Sequence, residues 1–144
     1  MTHQYDGELV VFLIGMTINK PWRPDRWLPV FRAMPRMLRE LGRAEDSGLL
    51  GHRLLLEGRN PTVIQYWDSL EKLYDYASEP GAEHWPAWKA FNRQAVHASD
   101  AVGIWHETYL SRYAETIYVN TPELGLARYT ELVPVTEQRR PPRP

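Results

Sequence analysis

The sequence predicts an α+β domain of the ferredoxin-like, split βαβ kind: one antiparallel sheet with helices on one face. Three observations carry this. The elements run β-α-β-β-α-β with an added strand near the end. The chain has 144 residues, one ordinary domain and too short for two. The first strand is apolar on both sides, as a central strand must be when both its faces are covered.

Each element has its own signal. Residues 8–18, ELVVFLIGMTI, are rich in β-formers. Pro21 and Pro24 end that run. Trp27, Val30, Phe31, Met34, Met37, Leu38 and Leu41 then recur at helical spacing over 25–41, with Gly42 as the stop. Pro29 sits near the first turn. Pro35 lies inside the pattern and predicts a kink or a split. A second strand spans 50–57. The cluster Gly58-Arg59-Asn60-Pro61 turns the chain into a third strand, 62–67, so the two make an antiparallel hairpin. Asp68 or Ser69 caps a short helix over 70–77. Ser78 caps another, with Pro80 in its first turn, running to about residue 98. A fourth strand, 102–112, alternates cleanly, and a shorter fifth covers 115–120. Residues 1–7 read as a polar N-terminal arm, 8–133 as the domain, and 134–144, with four prolines and three arginines, as a flexible tail.

Composition removes several classes of function. Seventeen basic against eighteen acidic residues give a net charge of −1, so there is no overall nucleic-acid footprint. No cysteine is present, which excludes a disulfide scaffold, a thiolate metal site and a cysteine nucleophile. The longest apolar run, 9–16, is too short to span a bilayer and lacks a basic leader. A cytoplasmic protein with no membrane partner is expected. Six tryptophans and eight tyrosines suit an aromatic-lined cavity, a large interface or a bulky core. Val10, Phe12 and Ile14 lie on one side of the first strand and Val11 and Leu13 on the other, while the helices cover only one side. Packing of a second copy against the bare face, and hence a homodimer, is expected.

Two stretches carry candidate chemistry. In Gly103-Ile104-Trp105-His106-Glu107-Thr108-Tyr109, alternation puts His106 and Thr108 on one face and Trp105, Glu107 and Tyr109 on the other. Each face of an otherwise apolar strand thus holds a titratable group. Glu107 needs a partner if buried, with Arg53 and Arg112 available. His106 is the candidate acid/base, kept neutral if its surroundings are apolar. The plain alternative is a core or interface histidine with a buried ion pair. In His84-Trp85-Pro86-Ala87-Trp88, followed by Phe91, a histidine stands beside large rings on one helix face, which suits a flat cofactor or an aromatic substrate. The plain alternative there is a histidine facing water. HxxxH, HExxH, GxGxxG, P-loop and GxSxG patterns are all absent, so the sequence gives no zinc, nucleotide or serine-hydrolase signal.

The stretches Met34-Pro35-Arg36-Met37-Leu38, His84 through Asn92, Val102 through Tyr109, Glu115 through Pro122 and Gly125-Leu126-Ala127 resemble a bacterial family labelled monooxygenase-like, after a fungal monooxygenase of fumagillin biosynthesis. The resemblance covers about residues 8–130. That family is similar to the dimeric α+β barrel superfamily, which implies the fold read above. The superfamily includes cofactor-free antibiotic-biosynthesis monooxygenases and haem enzymes, and the pattern also resembles haem aldoxime dehydratases. By that resemblance His84 is the proximal haem ligand, the one metal contact, and His106 a distal acid/base. The helix motif is His-Trp-Pro where the dehydratases have His-Pro-Thr-His. The leading expectation is a monooxygenase-like oxidoreductase acting on a hydrophobic small molecule. In it His106 moves protons and Glu107 orients within the strand. His84 and Trp88 hold a haem if one is used, and Trp67, Trp85, Phe91 and Trp105 bind substrate. The rivals are a haem lyase dehydrating an aldoxime-like N–O substrate and a non-catalytic dimeric haem- or ligand-binding module.

The tail yields a first prediction. Truncation before Pro141 leaves the melting temperature within a few degrees, because that segment has no apolar periodicity to pack. A large loss of stability in the truncated protein would show that it docks on the core.

Overall fold

A computed structural model describes residues 1–43, 47–77 and 86–138. In chain order the elements are β1 (Thr2–Gln4), β2 (Leu9–Ile18), α1 (Pro24–Arg43), β3 (Leu49–Glu57), β4 (Asn60–Trp67), α2 (Leu70–Ala77), α3 (Pro86–His97) and β5 (Val102–Ser111). A 3-10 turn (Gly125–Arg128), β6 (Glu131–Val133) and a second 3-10 turn (Val135–Glu137) follow. The main sheet has the order β3-β4-β2-β5, antiparallel throughout. β2 and β3, joined by α1, are therefore split by β4, the ferredoxin-like arrangement.

Local chemistry explains most of these elements. The hairpin closes with only Gly58 and Arg59 outside the Glu57–Asn60 pair, and Gly58 takes φ +58, the left-handed region such a tight turn demands. Ser69 caps α2, its Oγ accepting from the Lys72 N–H at 3.2 Å. α1 is one helix of 20 residues holding both Pro29 and Pro35 inside it, so the split expected at Pro35 does not occur. The carbonyl that loses its partner there is that of Phe31, an exposed position with solvent at hand.

Val10, Phe12, Ile14 and Met16 of β2, with Val63 and Trp67 of β4, form the floor of the core. Val30, Met34, Met37, Leu38 and Leu41 of α1, with Leu73, Tyr76, Phe91 and Ala95, form its roof. Burial of this order, roughly 1.5–3 kcal/mol per large side chain, is what sets the register of both layers.

Outside the main sheet the chain ends behave differently from the expectation. The N-terminal arm is not free: β1 pairs antiparallel with β6, and Thr2 and His3 are buried. The expected fifth strand over 115–120 is not a strand. Thr116 takes over part of the pairing, its Oγ1 accepting from the His3 backbone N–H at 3.0 Å and meeting His3 Nδ1 at 2.7 Å and Thr2 Oγ1 at 3.1 Å. Tyr118 and Met1 exchange two hydrogen bonds, N–H of each to the carbonyl of the other. At the beginning of the tail, Gln138 donates to the His3 carbonyl at 3.1 Å. Residues 139–144 lie outside the described residues.

The face of the sheet turned away from the helices carries two close approaches over glycine. The Trp105 indole lies on Gly15, its register partner across β2 and β5. The Tyr129 ring lies on Gly51 and beside Tyr66, with centroids 6.3 Å apart, and its hydroxyl donates to the His52 carbonyl. A methyl group at residue 51 would collide with that ring. Gly51→Ala should cost about 1–3 kcal/mol of overpacking, seen as roughly 2–4 °C of melting temperature per kcal/mol in a chain of this size. An unchanged melting temperature would mean that the Tyr129 segment does not seat there.

Candidate functional site

The helix layer covers the sheet unevenly, and the gap is a cleft. Phe31, Met34, Pro35, Leu38, Arg39 and Gly42 of α1 form one wall. His52 and Leu54 of β3 and Pro61 of β4 form the other, enclosing about 500 Å³. This is the size and character of a small-molecule site: apolar walls with very few polar groups. Among the described residues its only titratable or charged lining residues are His52 and Arg39. Met34, Pro35 and Leu38 come from one of the stretches singled out in the sequence.

His52 sits in the cleft because of a bulge. Leu49 pairs with Trp67, but Gly51 pairs with the next residue back, Tyr66, leaving Leu50 extra. That slip turns His52 toward the helices, in one sheet row with Gln65 and Phe12. The side chain is half-buried, and burial pushes its imidazole below the ordinary histidine value of 6.5. The ring is thus neutral at pH 7 and able to take up a proton. Gln65 beside it is wholly buried; its Oε1 accepts from Trp67 Nε1 at 2.9 Å. Its Nε2 has no partner among the described residues, so an amide donor with unspent capacity lies next to His52 in the row.

The residues expected from the sequence are not brought together. His106 and Glu107 do project from opposite faces of β5, as alternation requires. Both are exposed, since β5 is an edge strand. Glu107 has no buried arginine partner; it accepts from the Tyr109 hydroxyl at 2.6 Å, which raises the phenol's pKa. The apolar enclosure expected around His106 is missing too, although its ring lies 5.6 Å from that of Phe12. Three strand spacings, about 14 Å, separate β5 from the cleft-lining β3. Trp67 and Phe91 are core residues with no exposed surface, so neither is open to a substrate. Trp67 packs on Tyr76 at 5.6 Å, and burial, then the charge of Glu40, pushes the Tyr76 phenol up. Trp105 is half-buried on the face away from the helices. His84 and Trp85, and the side chain of Trp88, lie outside the described residues.

His52 escaped the sequence reading because register hid it. In Leu50-Gly51-His52-Arg53-Leu54 the bulge shifts the alternation, so a histidine that looked like one more polar residue near a strand start faces the core side. No group of three or more histidine, aspartate or glutamate side chains among the described residues could hold a metal ion.

Comparison with known proteins agrees with this architecture. SnoaB of Streptomyces nogalater, a cofactor-independent oxygenase, superposes with a TM-score of 0.50 at 16% identity, over 74% of this chain and 96% of that one. A Deinococcus radiodurans protein assigned to the antibiotic biosynthesis monooxygenases superposes with a TM-score of 0.55 at 13% identity, over 76% and 99% of the two chains. One of the same assignment from Caulobacter crescentus CB15 gives 0.51 at 10% identity, over 76% and 94%. At such identities these likenesses establish the fold. The expected similarity to haem aldoxime dehydratases is not among them, and no curated protein matches the chain. The model of the monooxygenase af470-like family matches residues 9–126, which run from β2 into the first 3-10 turn and so include the whole cleft. The chain therefore belongs to the af470-like monooxygenase family, and as an enzyme it is monooxygenase-like.

Proposed function

We propose that the protein oxygenates an apolar small molecule held in the cleft between α1 and the β3–β4 hairpin, with His52 as the proton acceptor. One observation carries this: among the described residues the apolar cleft has a single group able to accept a proton near neutral pH, and burial keeps that group neutral. Deprotonating an activated C–H leaves a carbanion, itself a reductant for dioxygen. A methylene then becomes a carbonyl, with one oxygen atom in the product and the other leaving as water, so the electrons balance without an external donor. The cofactor-independent character of SnoaB supports this over a cofactor-dependent route. Arg39 stands where it would offset negative charge developing on the substrate. The haem-bearing alternative hangs on His84, outside the described residues; among the described histidines only His52 lines the cleft.

His52→Gln should lower turnover by about 10²–10⁴, the usual loss for a removed general base, with the fold unchanged by circular dichroism. In the unaltered enzyme, activity should persist below pH 6.5 and fall only where His52 takes up its proton. The sign for stability follows the same shift. The unfolded chain binds the proton first, so the stability due to His52 is complete above about 6.5 and is lost as pH falls toward the lower folded value. If His106→Gln abolishes turnover and His52→Gln does not, the active centre is at β5.

We also infer a homodimer through the sheet face turned away from the helices. Val11 and Leu13 are only half-buried there, and Tyr109 is exposed. Light scattering should give about 34 kDa, twice the 16.8 kDa chain. A monomer at micromolar concentration would overturn this.

A further inference from the structure

Four parts of the chain meet at His3. It belongs to β1, its register partner is Leu132 of β6, its N–H and ring bond to Thr116, and its carbonyl accepts from Gln138. The residue is only 5% exposed. β6 starts two residues after Tyr129, whose ring covers Gly51 and whose hydroxyl donates to the His52 carbonyl. The small terminal sheet therefore anchors the segment that covers the β3–β4 half of the main sheet.

The bonds around Thr116 Oγ1 fix the state of the ring. The hydroxyl meets the His3 backbone N–H at 3.0 Å, His3 Nδ1 at 2.7 Å and Thr2 Oγ1 at 3.1 Å. A hydroxyl accepts two hydrogen bonds and donates one. The backbone N–H can only donate, so it takes one lone pair. With Nδ1 unprotonated, the Thr116 proton goes to Nδ1 and the Thr2 hydroxyl donates into the second lone pair. Every group is then satisfied. With Nδ1 protonated, the ring takes that lone pair and the Thr116 proton turns to Thr2. The Thr2 hydroxyl proton then has no acceptor among the described residues, at a side chain with no exposed surface. No carboxylate compensates the charge. Tyr5, Arg112 and Tyr113 line the same small recess as His3. Glu131 on β6, Glu115 beside Thr116, Glu137 beside Gln138, and Asp6 and Glu8 beyond β1 are all exposed, and none bonds to the imidazole.

We propose that His3 is a proton-operated latch: neutral, it closes the terminal sheet on the returning segment, and protonated, it releases both. Burial acts in the same direction as the bond count, pushing the imidazole below the ordinary value of 6.5. The open chain takes up the proton first, so the latch is fully closed above about 6.5. Below that, the ratio of closed to open falls by about tenfold per pH unit until the lower folded value is reached. The latch stands on the contacts of His3 and does not depend on the function proposed above.

The test is amide hydrogen exchange of the full chain at about pH 7.5 and about pH 5, corrected for intrinsic rates. The His3 and Tyr118 amides, which bond to Thr116 Oγ1 and the Met1 carbonyl, should lose about tenfold or more in protection at the lower pH relative to β2. His3→Asn places an amide oxygen near the position of Nδ1 and takes up no proton in this range, so its protection should be the same at both. Protection that does not change with pH in the unaltered chain overturns the proposal, as does an equal or larger loss in His3→Asn. If His3→Asn is open at both pH values, NMR titration of the His3 imidazole in the unaltered chain decides. A pKa below 6.5, with the neutral ring protonated at Nε2, upholds the latch. A higher pKa, or a neutral ring protonated at Nδ1, overturns it.

Discussion

The packing of α1 across β2 and β4 is the contact on which the other features depend. Val30, Met34, Met37 and Leu41 meet Val10, Phe12, Ile14 and Met16 at full burial. The helix layer then cannot shield both edges of a four-stranded sheet equally. On the β3 side, Phe31 and Pro35 stand off from Leu54 and Pro61 and leave a cleft. On the β5 side nothing comparable among the described residues encloses Ile104, His106 and Leu110, which are exposed on the same face. The same sheet face thus yields a sheltered histidine at one edge and an open one at the other. Helix placement, which no local pattern encodes, decides which of the two is sheltered.

This accounts for what was legible beforehand. Strand order, the first two helices and the hairpin follow from periodicity and turn residues, and those agree with the structure to within a few residues, as for 70–77 and Leu70–Ala77; the start expected at Ser78 for the last helix lies outside the described residues. The misread elements share a cause: a side chain replaced a backbone partner, or a bulge reset a register. Thr116 accepts a bond that a strand carbonyl would have taken, so 115–120 has strand composition without strand pairing. Leu50 adds one residue to β3, and with it His52 changes faces. Sequence alternation identifies which residues share a face. It does not say which face the helices cover, and it marked His106 for a strength of signal that reflects neighbours along the chain.

The aromatic residues show the same division. Trp67, expected to bind substrate, instead serves the core with Tyr76, and Gln65 gives the Trp67 N–H its acceptor. Trp105 and Tyr129 instead lie flat over Gly15 and Gly51 on the opposite face. Both glycines are needed for space, since a Cβ at either would meet the ring above it. Aromatic content is therefore divided between two sides of one sheet, and a count of rings could not have located a cavity.

That second face constrains any partner. The segment after β5 returns through Tyr118, Gly125 and Tyr129, and it covers the β3–β4 half. Gly125, at φ +60, lies beside the Arg53 guanidinium and the hydroxyls of Tyr118 and Tyr66. Arg53, expected as a partner for Glu107, thus lies against the returning chain at the far edge of the sheet. What stays open is the β2–β5 half, Val11, Leu13 and Tyr109 with Glu107. A second copy packing there meets an apolar strip beside a carboxylate already satisfied by Tyr109, so the charge is hydrogen-bonded before it is desolvated. The strip and the cleft lie on opposite faces of the sheet. A dimer formed through one leaves the other facing outward on each copy.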